Sequence, residues 1–154
     1  NIKILYTHDN QKITNVNYLQ KLEKLDASYN CGIDDKGICD LKNIKILNAN
    51  DNPKITNVNH LQKLEELNAS WNCGIDDKGI CDLKNIKILY ACNNPKITNV
   101  NRLQKLEKLY AYDNCGIDDK GICDLKNLEF LTYWNVYSYI EVFIQYFNIK
   151  CTKI

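Results

Sequence analysis

The sequence predicts an α/β repeat solenoid, with a curved parallel β-sheet on its concave face and irregular or short-helical turns on its convex face. Three observations carry this. Residues 1–42, 43–84 and 85–126 align without a gap, and of their 42 columns ten vary, leaving 32 identical in all three copies. Inside each copy lies a weaker half-repeat: LQKLEKLDASYN (Leu19 to Asn30) and LKNIKILNANDN (Leu41 to Asn52) share one frame, apolar at the first, fourth and seventh positions, small at the ninth and Asn at the twelfth. Leu25 and Ala27 then alternate with Asp26 and Ser28, the period of two that a strand imposes. A unit of this length cannot bury its own apolar face, so successive units must stack.

The unit is alternately 22 and 20 residues long, as the steps Leu19 to Leu41 and Leu41 to Leu61 show. Its frame, L-x-x-L-x-x-L-x-A-x-x-N-x-x-I, resembles that of leucine-rich repeats over residues 1–135, through six successive turns. The resemblance implies a curved solenoid that binds other proteins. The near-identical tandem copies, rich in Asn, Lys, Ile and Tyr with 19 Lys to one Arg, also resemble leucine-rich repeat proteins of giant DNA viruses and some protists.

Taken in order, each turn begins with its strand. The ninth position is small (Thr7, Ala27, Ala49, Ala69, Ala91, Ala111), as a narrow interior near the strand end requires. Next comes a column of Asn: Asn10, Asn30, Asn52, Asn72, Asn94 and Asn114. Here the chain turns inward and leaves buried amide and carbonyl groups without strand partners. An Asn side chain carries donors and an acceptor, so a stacked ladder of them is expected to satisfy those groups. The return arc follows, with five steps between the inward anchors Ile33 and Ile38 of the long turn and three between Ile55 and Val58 of the short one.

The long arc, NCGIDDKGICDLKN, occurs identically at 30–43, 72–85 and 114–127. It reads as one helical turn begun by Asp34 or Asp35 as N-cap. Its Cys31, Ile33, Asp35, Gly37 and Ile38 loosely resemble the C-x-x-I-T-D-x-G-L segment of the cysteine-containing leucine-rich repeats of F-box proteins, with Asp34 in place of the Thr. Two cysteines separated by seven residues lie outside the two to four that zinc sites use. Equivalent cysteines of successive copies stand two turns apart, roughly 9–10 Å, too far for a disulfide. Buried, reduced thiols are the favoured reading, with a within-turn disulfide or a metal site as alternatives. The adjacent Asp pair lacks the contrasting environments and pocket that acid–base chemistry needs. No set of nucleophile, base and pocket is legible, so the chain reads as non-catalytic, without cofactor, metal or small-molecule substrate.

The net charge of +1, from 20 basic and 19 acidic residues, argues against a nucleic-acid or membrane surface. No apolar run approaches the roughly 20 residues of a membrane span. The chain starts at Asn1 without Met, as expected of a fragment. Reduced thiols fit an intracellular setting, the host cytoplasm if the source is viral. The single Asn68-Ala69-Ser70 sequon lies on a strand and reads as chance.

Of the ten variable columns, eight fall on the strands or just after them, and seven of these point outward by the alternation. The convex residues Lys12, Thr14, Asp34 and Lys36 do not vary at all. The outward positions make three rows: Tyr6, Asp26, Asn48, Asn68, Tyr90 and Tyr110; His8, Ser28, Asn50, Ser70, Cys92 and Tyr112; and Asp9, Tyr29, Asp51, Trp71, Asn93 and Asp113. Tyr, Trp, Asn and Ser among a few charges is the composition of a recognition surface. Seven strands give a sheet roughly 30 Å long, enough for a protein or peptide partner. Ile4, Ile46 and Ile88 add an apolar stripe. The expected function is a protein-interaction module, within reach of a substrate-receptor role in a larger adaptor; the alternative is an assembly component stacking through the solenoid ends. After Leu131 the frame stops, and Val136, Ile140, Phe143, Ile144 and Phe147 recur at helical spacing, so 136–154 is expected to form a helical cap.

Overall fold

The computed structural model describes residues 1–132; the expected cap over 136–154, and the boundary at 135, lie outside them. Seven three-residue strands follow in chain order: β1 (Ile4–Tyr6), β2 (Lys24–Asp26), β3 (Ile46–Asn48), β4 (Glu66–Asn68), β5 (Ile88–Tyr90), β6 (Lys108–Tyr110) and β7 (Phe130–Thr132). They form one parallel sheet in the order β1 to β7. The register places Leu5, Leu25, Leu47, Leu67, Leu89, Leu109 and Leu131 side by side. The five middle leucines are buried, as are Ala27, Ala49, Ala69, Ala91 and Ala111 behind them. A buried Leu contributes about 1.5–3 kcal/mol relative to an exposed one. A three-residue strand has little stability of its own, so the sheet is held by its stack of neighbours.

Each long turn carries one helical turn on the convex side: α1 (Asp35–Ile38), α2 (Asp77–Ile80) and α3 (Asp119–Ile122). Asp34 is the N-cap of α1, its carboxylate accepting from the Gly37 amide at 2.9 Å. Asp35 has a different task. Its carboxylate accepts from the Thr56 amide at 2.7 Å, from the Thr56 hydroxyl and from the Asn57 amide, all in the next turn. Asp77 does the same for Thr98 and Asn99. Gly37 and Gly79 are required by packing: a Cβ there would press into the Thr14 or Thr56 carbonyl oxygen. Asn59 adds a second tie, donating to the Lys78 carbonyl at 2.7 Å and accepting from the Asp82 amide at 2.9 Å. Where the strands begin, charges alternate from turn to turn. Glu23 lies 3.0 Å from Lys3 and 2.8 Å from Lys45, and the hydrogen bond from Lys45, followed by that from Lys3, holds its carboxyl down at about 2.

The interior ladder differs from the expected run of six Asn. Asn52 and Asn94 are fully buried. Asn52 donates to the Ala27 carbonyl at 2.7 Å and the Ile33 carbonyl at 3.1 Å, and accepts from the Lys54 amide at 3.0 Å. Asn94 repeats the pattern with Ala69, Ile75 and Lys96. Asn10, in the first turn, is exposed and accepts from the Lys12 amide alone. Asn30, Asn72 and Asn114 are exposed, and in these long turns the following cysteine enters the interior instead. Cys31 and Cys73 are fully buried, and Cys115 is partly so. The Cys73 thiol is pushed up to about 11 by burial, against hydrogen bonds from the Ile75 and Gly74 amides. Its sulfur thus accepts from the main chain where Asn52 uses an amide oxygen. The long arc turns inward one residue later than the short one, so the ladder alternates Asn and Cys. Beside it, Gly32 and Gly74 pack so tightly on the preceding turn that a Cβ would strike the Gln11 or Pro53 carbonyl.

The second cysteine of each arc also departs from expectation. Cys39 is exposed and Cys81 and Cys123 are half-buried, because each is the C-cap residue that follows the inward isoleucine ending the short helix. Their sulfurs donate to the Lys36, Lys78 and Lys120 carbonyls.

Candidate functional site

The concave face begins with the outer two residues of each strand, which flank the inward leucine. Tyr6 of the first row is exposed, and Asp26, Asn48, Asn68, Tyr90 and Tyr110 are half-buried. Mid-sheet, the polar members are committed to their own turns. Asp26 accepts from the Ser28 amide at 3.1 Å and its hydroxyl at 2.6 Å, and Asn48 and Asn68 accept from the Asn50 and Ser70 amides. Aromatic rings take over toward the last strands. Tyr90 and Tyr110 stack at 4.4 Å between ring centroids, and Phe130 follows at 5.2 Å from Tyr110. Burial, then the charge of Glu66, pushes the Tyr90 phenol up. At the other end the Lys24 ammonium sits 5.9 Å from the Tyr6 ring centroid.

The other strand row is Ile4, Lys24, Ile46, Glu66, Ile88, Lys108 and Phe130. The variation among copies points to Lys24, Glu66 and Lys108. Phe130 was not legible, since it lies past the third copy and only the parallel register places it on this face.

The second expected row is not a uniform surface. His8 and Tyr112 are exposed and Asn50 is half-buried, whereas Ser28, Ser70 and Cys92 are buried. These positions sit in the crease between the strand and the inward turn, where a small side chain is covered and a large one must project. Cys92 donates to the Tyr110 carbonyl at 3.4 Å, and burial pushes its thiol up. The phenol of Tyr112 is raised chiefly by its hydrogen bond with Cys92.

The third row forms the rim above the sheet and has a property the sequence reading missed. Asp9, Tyr29, Asp51, Trp71, Asn93 and Asp113 all adopt the left-handed conformation, with φ between 54° and 62°. Asp9, Tyr29, Asp51, Trp71 and Asn93 hold that geometry by donating their amides to the next turn: Tyr29 to the Asn50 carbonyl at 2.8 Å, Trp71 to the Cys92 carbonyl at 2.7 Å. Asp and Asn tolerate this region; bulky residues do so at a cost of order 1–3 kcal/mol. Four of the six positions carry Asp or Asn, which was the available signal. Tyr29 and Trp71 are the exceptions, and they are 50% and 56% exposed.

In the convex arcs Asp34, Asp76 and Asp118 cap the short helices, and Asp35 and Asp77 tie neighbouring turns. Among the described residues no group of three or more His, Cys, Asp or Glu is placed to hold a metal ion. No helix among them is long and apolar enough to cross a membrane.

A single parallel sheet closed by short convex arcs, with a ladder at each inward turn, defines a leucine-rich repeat solenoid. Solved structures with this fold include internalin C2 of Listeria monocytogenes str. 4b F2365, with a TM-score of 0.56 and 22% identity, and TLR13 in complex with ssRNA13, with a TM-score of 0.55 and 19% identity. Both are leucine-rich repeat proteins. The first alignment covers 78% of this chain and 66% of the internalin chain; the second covers 85% of this chain and 25% of the TLR13 chain. At these identities the likeness speaks to the fold alone. No family model matches the chain, and no curated protein matches it.

Proposed function

We propose that the chain is a non-catalytic protein-interaction module that takes a protein or peptide on its concave sheet and rim. One observation carries the reading: the side chains that differ among the copies include exposed aromatics on that face, Tyr6, Tyr29, Trp71 and Tyr112. The identical convex residues have a different explanation. Asp34, Asp35, Thr56, Lys54 and Asn59 hold one turn or bind the next. The framework therefore needs fixed residues on the convex side and leaves the concave side free for recognition.

A substrate-receptor role within a larger adaptor is compatible with this surface, as is a reducing intracellular setting for the thiols. The balanced charge favours protein over nucleic acid as partner. The test is capture of partners from lysate on immobilised chain, with bound proteins identified by mass spectrometry. Trp71→Ala with Tyr112→Ala is expected to abolish capture, since truncated aromatic anchors cost about 2 kcal/mol or more at true hot spots. A folded double variant that captures the same partners as before sinks the reading.

A further inference from the structure

We propose that the rim row is a docking strip for an extended, basic peptide segment carrying Lys or Arg at every third residue. The proposal rests on the concave-face reading above and names the partner's chemistry.

Along the rim the order is Asp9, Tyr29, Asp51, Trp71, Asn93, Asp113, so the two exposed aromatics are separated by one carboxylate, and a second precedes Tyr29. Asp26, Asp34 and Asp35 are all committed to hydrogen bonds within the fold. The carboxylates of Asp9 and Asp51 have no hydrogen-bond or ion-pair partner among the described residues. The lysine that follows Asp51 does not neutralise it by contact: the ammonium group of Lys54 rests 3.0 Å from the Cys31 carbonyl. A ligand cation can therefore lie on the face of Tyr29 or Trp71 and pair with Asp51, combining a cation–π contact with a charge-assisted hydrogen bond.

Spacing selects the form of the peptide. Tyr29 and Trp71 are two turns apart, about 10 Å at the separation of neighbouring strands. A polyproline II segment brings every third side chain back to the same face after about 9.3 Å. One basic side chain per aromatic then follows without distortion. The opposite edge of the sheet carries Lys3, Lys21, Lys45 and Lys63 around Glu23, and so repels the same ligand and confines it to the rim. The left-handed geometry points the same way. Tyr and Trp stand where Asp or Asn relieves the strain, so their presence opposes stability and calls for a contact outside the fold.

The test uses the full chain and fluorescein-labelled peptides by anisotropy: four Lys-Ala-Pro triplets, a peptide of the same composition with its lysines contiguous, and four Glu-Ala-Pro triplets. The first is expected to bind about tenfold more tightly than the second, and the third not at all. Tyr29→Asn with Trp71→Asn should lose about tenfold in affinity while melting at the same or a higher temperature, and Asp51→Asn should lose severalfold. Equal affinity for the two lysine peptides, or affinity unchanged in either variant, overturns the proposal. Panning a random peptide library on the chain separates the two readings. Enriched peptides with period-three basic residues support both. Enriched peptides of other composition whose binding is lost in the Trp71→Asn variant leave the concave-face module standing and overturn the basic assignment. No enrichment overturns both.

Discussion

Asn52 and Asn72 occupy the same column of the repeat and carry different loads. Asn52 is sealed inside the solenoid with three hydrogen bonds, two of them given to carbonyls of the preceding long turn. Asn72 is exposed, and the buried Cys73 beside it takes the interior position. Asn52→Ala should therefore lower unfolding free energy by about 1–3 kcal/mol, the cost of leaving buried groups unpaired. Asn72→Ala should change it by less than about 0.5 kcal/mol, as surface substitutions usually do. Urea unfolding of the two variants checks the pair; equal losses would mean that the ladder does not alternate. The column of Asn was legible because it recurs in register. Its alternation with Cys was not, because the frame counts positions from the strand and cannot reveal that the long arc turns inward one residue later. The left-handed rim was hidden for a similar reason. Asp and Asn hint at such a conformation, but Tyr29 and Trp71 disguise it, and only the amides they donate to the next turn impose it.

At the scale of the element, the period of two and the long arc's cap could be read directly. The short helix, its start near Asp34 and the inward Ile33 and Ile38 follow from local sequence. The division of labour between Asp34 and Asp35 does not, since the partners of Asp35 lie in the next turn, at Thr56 and Asn57. Gly79 shows the same dependence on a neighbour. Nothing in α2 itself demands glycine, yet a Cβ there would meet the Thr56 carbonyl oxygen, which is main chain and cannot swing aside. Gly79→Ala is expected to destabilise by about 1–3 kcal/mol through overpacking, despite the better helix propensity of Ala. A thermal melt checks this. A variant at least as stable as the parent would show that neighbouring turns can separate to admit a methyl group.

Across the whole molecule, the two faces obey different rules. The convex arcs are a lattice of ties between turns, so the same residues must recur wherever a turn follows. The concave sheet is tied through its main chain, and its outward side chains are free to differ. This separation was visible in the sequence as variation concentrated on one face, in eight of the ten variable columns, and the parallel register sets the strand positions among them side by side in one sheet. What the rows could not reveal was depth: Ser28, Ser70 and Cys92 fall into the crease, and the exposed surface narrows to the strand rows, the aromatic end and the rim. Tyr18, 75% exposed and off the concave face, supplies an internal control.

The central claim, that partners seat on the concave face and its rim, is tested most directly by hydroxyl-radical footprinting of the chain alone and with a captured partner. Tyr29, Trp71 and Tyr112 are expected to lose most of their oxidation in the complex while Tyr18 is oxidised as before. Protection of Tyr18 with the rim aromatics unchanged would contradict the account and move the interface off the concave face.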